Sequence, residues 1–291
     1  MIDKNKVEYF FFISFAKFFN LFGFQRAWIF AKIFGLAMYY IVPIRKTVVL
    51  KNLRLAFPEY SEGKIKNIAR SNYYIFCKSL IELMCFTGTK KEKILSLVEC
   101  DKIELIKNRM KENKGLILLT AHFSNFELIE LYTPHILNTK INPLVKTQRN
   151  PYVSNWLNSS RKSLGSNVIT TGISVRNLFK VLLDKGVIII AGDQRGPADG
   201  VRAKIFNVDT ALYTGAAVLA LKTKAPVVMV LFVDKGHGKY KMEVEELNTE
   251  DITGNKDEQI LTFTQRYMTM LEKYIRLHPD HWLWMHNIWK Y

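Results

Sequence analysis

Residues 115–127 read Gly-Leu-Ile-Leu-Leu-Thr-Ala-His-Phe-Ser-Asn-Phe-Glu, and the change of character inside this stretch decides the fold. Gly115 to Thr120 is a short apolar run bounded by a glycine and a polar turn, the pattern of a buried strand. His122 follows at once, and open α/β sheets place their ligands just beyond the carboxyl ends of such strands. Glu127 lies five positions further on, which on one continuous helix would set the two side chains about 140° apart. They meet only if His122 sits in the turn and Glu127 one turn into the next helix. Glu127 can then accept a hydrogen bond from one ring nitrogen and fix the tautomer, leaving the other nitrogen as a base. The plainer reading of the same residues is a helix-capping histidine followed by a solvated acid favoured by the helix dipole.

Outward from this stretch, strand-like and helical patterns alternate. Asn142 to Val145, Val187 to Ala191, Pro226 to Val233 and Tyr240 to Glu246 read as strands. Helical periodicity covers Val153 to Leu164, Val175 to Leu183, Tyr213 to Lys224 and Asp257 to Leu277, and upstream Ser61 can cap a helix reaching about Met84. Lys90 to Lys114 is a charged stretch. This order predicts an α/β fold, a central mixed sheet flanked by helices, preceded by an apolar, membrane-associated helical region.

The first 44 residues stand apart. From Val7 to Phe24 the charges are Glu8 and Lys17, and Phe10, Phe11, Phe12, Phe15, Phe18 and Phe19 crowd together; Trp28 to Ile44 carries Lys32 alone. Neither stretch is an uninterrupted apolar span of about 20 residues, so a transmembrane helix, an interfacial helix and a buried core helix all remain open. A cleaved signal peptide does not fit, because no small-residue cleavage pattern follows and Arg26 comes soon after. Residues 1–44 are read as an anchoring segment and 45–291 as the body.

The 42 Lys and Arg against 26 Asp and Glu give a formal charge of +16, so the partner is acidic: nucleic acid, anionic lipid or an acidic carrier protein. Cys77, Cys85 and Cys100 have no paired spacing and no histidine near them in sequence, which argues against a disulfide framework or a zinc site and for a reduced, cytosol-facing body. No metal site is expected.

Ala121, His122, Asn125 and Glu127 match the pattern A-H-x-G-N-W-E, with Ser124 in place of the glycine and Phe126 in place of the tryptophan. With this motif the chain resembles the late lipid A acyltransferase branch of the lysophospholipid acyltransferase superfamily. The likeness continues in order through Asn52-Leu53 with Ala56-Phe57-Pro58, Asn150-Pro151 with Arg161 and Gly165, the apolar run from Val187 to Ala191 ending in Gly192-Asp193-Gln194, Tyr213 to Pro226, and Pro279-x-x-Trp282-x-Trp284-x-His286. Lys146 stands where the family usually has arginine, Asn207 near its glycine and Ile288 at another arginine.

The resemblance implies transfer of an acyl group from a thioester, usually acyl carrier protein, to a hydroxyl of a membrane glycolipid, a lipid A precursor first, without cofactor. Phosphoinositide mannosides, aminolipids and lysophospholipids are the alternative acceptors. His122 would be the general base and Glu127 would stabilise its imidazolium. Arg161, backbone N–H groups opening the helix after His122, Asn125, Asp193 and Gln194 are candidates for oxyanion or substrate contacts; Asp193 could equally orient a loop. The implied partners are acyl carrier protein, the acceptor lipid and an anionic membrane surface, with the enzyme at the cytoplasmic face of the inner membrane, monotopic or single-pass.

His286 among Trp282, Trp284 and Trp289 fits packing as well as substrate contact, and His135, His237, His278 and His281 fall in loop-like or surface-like contexts with no role assigned. Two other functions compete. A basic, aromatic nucleic-acid binder leaves the apolar N-terminus unexplained and no such motif is present. A hydrolase using His122 with Ser124 or Ser163 lacks the G-x-S-x-G elbow that would expose the serine.

Overall fold

The computed structural model describes residues 3–290 except 24–25, 87–88 and 173–174; Phe24, the end of the first apolar stretch, lies outside the described residues. In chain order the elements are α1 (Lys4–Phe22), α2 (Ala27–Tyr40), α3 (Lys46–Ala56), α4 (Glu62–Phe86), α5 (Lys91–Leu95), β1 (Val98–Glu99), α6 (Ile103–Met110), β2 (Leu116–Thr120), α7 (Leu128–Leu137) and β3 (Ile141–Val145). There follow α8 (Pro151–Ser163), β4 (Ile169–Thr170), α9 (Val175–Leu183), β5 (Val187–Ala191), β6 (Arg202–Ile205), β7 (Val208–Ala211), α10 (Gly215–Thr223), β8 (Val227–Asp234), β9 (Tyr240–Leu247) and α11 (Lys256–Leu277).

The main sheet runs β1-β9-β8-β2-β5-β3-β4, and every neighbouring pair is parallel except β8 with β9. The sheet is therefore mixed and covered by helices, as the alternating pattern predicts. β2 is buried at all five positions because it lies inside the sheet, between β5 and β8, with core on both faces. Capping chemistry sets several helix starts. The Ser61 hydroxyl accepts from Lys64 N–H at the head of α4, the Asn150 side chain accepts from Tyr152 and Val153 N–H with Pro151 in the first turn of α8, and Asn255 with Glu258 closes a capping box on α11.

The β6–β7 hairpin was not legible in the sequence. Its turn places Phe206 and Asn207 at φ 51° and 59°, a left-handed pair that asparagine tolerates better than most residues, which accounts for a glycine near Asn207 in the family pattern.

No described helix is long and apolar enough to cross a membrane, so the single-pass expectation finds no element to carry it. α1 and α2 instead lie against α4. Asn20 donates to the Met84 carbonyl at 2.9 Å, and Gly35 brings α2 so close to α4 that an added Cβ would stand 2.9 Å from Tyr74 Cα. α1 also meets α8, through Phe12 edge-on to Trp156 and Asn150 donating to the Asn5 carbonyl. Only part of each helix is used this way. Phe10, Phe11, Phe15, Phe18 and Leu21 on α1, and Ile29, Ile33 and Leu36 on α2, are exposed, far more apolar surface than a water-facing helix pair usually shows.

Candidate active site

Parallel pairing assembles the site. Thr120 of β2 stands opposite Ala191 of β5, so the chain leaves the two adjacent strands side by side, and the second residue beyond each is His122 and Asp193. Their rings and carboxylates meet there: His122 Nδ1 is 2.8 Å from Asp193 Oδ1, and Asp193 Oδ2 accepts the His122 backbone N–H at 2.9 Å. Trp282 Nε1 also donates to Oδ2, at 2.8 Å. Gly192 lets the chain turn between Leu119 and the Tyr267 ring, where an added Cβ would come within 2.9 Å of Tyr267. Tyr267 in turn donates its hydroxyl to the Thr120 carbonyl.

Burial by itself would lower the His122 pKa, but the Asp193 charge and hydrogen bond, with the Glu127 charge behind them, outweigh it and hold it above the usual 6.5. Burial would raise the Asp193 carboxyl, yet the His122 ring and N–H and the Trp282 indole hold it below the ordinary aspartate value. With Nδ1–H donating to Asp193, Nε2 keeps its lone pair. The Gln194 amide nitrogen lies 3.2 Å from that atom.

The expected hydrogen bond between His122 and Glu127 is not what forms. Glu127 precedes α7 instead of lying inside it, and its two carboxylate oxygens accept from Arg161 Nη2 at 3.0 and 2.8 Å. Strand pairing supplies His122 with a nearer carboxylate in Asp193. Glu127 still lines the same cavity as His122, where its charge reaches the ring. Arg161 is correspondingly occupied and buried: Nε lies 2.6 Å from Glu130 Oε2, a close contact without the direction of a hydrogen bond, and Nη1 is 3.4 Å from Asn158. The oxyanion or substrate contact expected of Arg161 meets a guanidinium that already donates to Glu127.

Glu130, not singled out in the sequence, is pushed up to about 8 by burial and by the Glu127 charge, against the pull of Arg161. Its spacing of three from Glu127 across a helix start was the available signal.

Asn125 also departs from expectation. Its side chain is fully buried and donates to Glu82 of α4 at 2.8 Å, so it anchors the turn and does not face substrate. Glu82 further accepts the Tyr240 hydroxyl and lies 3.6 Å from Lys78, which pairs with Asp234. Burial pushes Glu82 up to about 7. The backbone N–H groups opening α7, expected as oxyanion donors, are spent inside the turn: those of Leu128, Ile129 and Glu130 donate to the carbonyls of Asn125, Phe126 and Glu127.

The C-terminal segment closes the site. Phe123 and Trp282 form an antiparallel bridge, with Leu283 N–H on the His122 carbonyl and Ser124 N–H on the His281 carbonyl at 2.7 Å. His286 Nε2 accepts the Arg195 N–H at 3.0 Å, a structural contact. His281, read from sequence as surface-like, is buried. The bridge places it against the Phe123 ring, a long-range contact that local sequence does not announce.

Beside His122 opens a cavity of about 90 Å³, walled by Ile75, Phe76, Leu80 and Leu83 of α4 with Phe126 and Leu283, and reached by Glu127. The arrangement is an oriented imidazole base at the mouth of an apolar slot. It suits removal of a proton from a neutral nucleophile beside a bound hydrocarbon. Among the described residues no group of side chains is set to hold a metal ion.

A model of the bacterial lipid A biosynthesis acyltransferase family matches residues 4–291. The lipid A biosynthesis palmitoleoyltransferase of Escherichia coli (strain K12) is 22% identical over 261 residues, covering 84% of this chain and 79% of that protein. The lipid A biosynthesis lauroyltransferase of the same strain is 24% identical over the same length and coverage. A lipid A biosynthesis acyltransferase of Shigella flexneri is 22% identical with the same coverage.

Proposed function

Because the chain belongs to the bacterial lipid A biosynthesis acyltransferase family, we propose that it moves a fatty acyl group from acyl carrier protein to a hydroxyl of a lipid A precursor, with His122 as base and Asp193 as the residue that orients it. That it is an acyltransferase follows from the family. The observation that carries it is the Asp193–His122 pair opening onto an apolar cavity.

In this mechanism the acceptor hydroxyl displaces the Gln194 amide from His122 Nε2 and gives its proton to that atom while its oxygen attacks the thioester carbonyl carbon. Asp193, on Nδ1, stabilises the imidazolium, and the Glu127 charge adds to it from the cavity wall. The freed Gln194 amide N–H is then available to the oxyanion, a donor aimed where charge develops. Collapse breaks the carbon–sulfur bond, and the departing thiolate takes the proton from His122. No cofactor is needed for these steps.

The +16 charge suits both an acidic carrier and an anionic membrane. The exposed apolar faces of α1 and α2 support an interfacial seat at the cytoplasmic face of the inner membrane, with apolar side chains in the acyl boundary and Lys and Arg at the headgroups. The test is purified full-length protein with acyl-loaded carrier and lipid A precursor, followed by mass spectrometry. A product heavier by one acyl group supports the reading; acylation of a lysophospholipid but not of the precursor overturns the acceptor.

A further inference from the structure

Beside its apolar side chains, the cavity at His122 is lined by four polar residues that the mechanism leaves unused: Asn72, Ser79, Ser124 and His281. Asn72 Oδ1, Ser124 Oγ and His281 Nε2 are buried with no hydrogen-bond partner among the described residues; the three residues are 2%, 6% and 8% exposed, whereas the Ser79 hydroxyl is given to the carbonyls of Ile75 and Ser124. Buried polar atoms are normally paired, so three orphans around one cavity call for a ligand or a water. The Asn72 amide donates to the carbonyls of Asp280 and Trp282, which turns Oδ1 away from them. Each is held in place by its surroundings. His281 Nδ1 lies 2.8 Å from Asp280 Oδ1, and Asp280 Oδ2 accepts the Ser71 hydroxyl, which fixes the ring and leaves Nε2 free. Ser124 is pinned by its N–H on the His281 carbonyl and by the Ser79 hydroxyl on its own carbonyl at 3.1 Å. Its φ of 50° is left-handed, the region that glycine takes without strain, and the family pattern has glycine there. The serine thus adds a hydroxyl that the backbone does not call for.

We propose that Ser124 and His281 recognise a hydroxyl carried by the transferred acyl chain within a few carbons of its carbonyl, so that this chain prefers a 3-hydroxyacyl donor to a plain one. This rests on the acyl-transfer reading above. An alcohol, donor and acceptor at once, matches these atoms: it can accept from the Ser124 O–H while meeting His281 Nε2 or donating to Asn72 Oδ1. A charged group does not match, because the Glu127 carboxylate shares the cavity and most of the remaining wall is hydrocarbon. The hydroxyl must lie near the reacting carbon, since Ser124 is two residues from His122. A plain chain leaves these polar atoms unpaired, and a site built to hydrogen-bond a hydroxyl discriminates strongly against the analogue lacking it.

The experiment compares kcat/KM for carrier protein loaded with a saturated chain and with the 3-hydroxy chain of equal length, using full-length enzyme and lipid A precursor. The hydroxylated donor should be preferred by about tenfold or more. Ser124→Gly, which suits the left-handed backbone and so keeps the fold, should bring the ratio down toward one, as should His281→Phe; His281→Gln, which retains a polar end, should restore part of it. Equal use of the two donors by the unmodified enzyme, or a ratio untouched by Ser124→Gly, overturns the inference and assigns the two atoms to a buried water. Transfer from neither donor overturns the acyl-transfer reading itself, and this inference with it.

Discussion

Replacing Asp193 by asparagine tests the base assignment through a single proton. Three hydrogen bonds reach this carboxylate, and two of them, from the His122 N–H and the Trp282 indole, arrive at Oδ2. An asparagine keeps both only by placing its carbonyl oxygen there, which turns its NH₂ toward His122 Nδ1. Nδ1 must then accept, so the ring proton moves to Nε2 and the lone pair that should take the acceptor's proton is gone. Since general-base catalysis contributes about 10²–10⁴-fold, kcat should fall by that much. The fold should persist, because shape and two of the three hydrogen bonds survive. The pH profile supplies an independent sign. Asp193 holds the His122 pKa above 6.5, so the rising limb of kcat in the unmodified enzyme should have its midpoint above that value, and residual activity of the variant should rise at lower pH. The assay is thiol release from acyl carrier protein across pH, with circular dichroism as the folding control. A folded Asp193→Asn enzyme with near-normal kcat and an unmoved midpoint would refute the reasoning.

Glu130→Gln addresses the buried carboxyl pair. A carboxyl raised from 4.5 to about 8 on folding contributes stability below pH 4.5 that is lost as pH climbs through 8, so the melting temperature of the variant should gain on the unmodified protein as pH rises from 5 to 8.5; a constant difference would contradict this. Gln194→Ala should lower kcat by about 10²-fold without raising the KM for acceptor, since the amide is displaced on binding and useful only to the oxyanion; a raised KM with kcat intact would make it a binding residue. Charging the exposed face with Phe10→Glu, Phe11→Glu and Ile33→Glu together should weaken sedimentation with anionic vesicles by about tenfold or more at an unchanged melting temperature. Vesicle binding that survives these changes would place the membrane contact elsewhere.

What the sequence disclosed was local. The apolar runs before His122 and before Asp193 announce two buried strands, and Ser61 announces a helix start. Pairing across the molecule was not so announced. That β2 and β5 are neighbours follows from strand order, which no window of sequence contains, so proximity in sequence points to Glu127 as the histidine's partner and not to Asp193. Arg161 and Asn125 were expected to face substrate because their motif positions carried no sign of the buried carboxylates Glu130 and Glu82 that claim them. His281 was passed over because the segment around it has no regular periodicity; its bridge to Phe123 gives it its place. The N-terminal helices read as apolar, and which of their residues meet α4 was decided by helix packing such as the close approach at Gly35.

The bridge between Phe123 and Trp282 also bears on when the enzyme becomes active. The strands that bring His122 and Asp193 together are synthesised well before Trp282 and Leu283, whose N–H groups complete the hydrogen bonding of Asp193 and of the His122 carbonyl. A growing chain that has not yet exposed residues 279–289 holds a base without its clamp and a cavity without one wall. The proposed acyl transfer therefore depends on the docking of residues 279–289 beside Phe123, a contact that the sheet alone does not make.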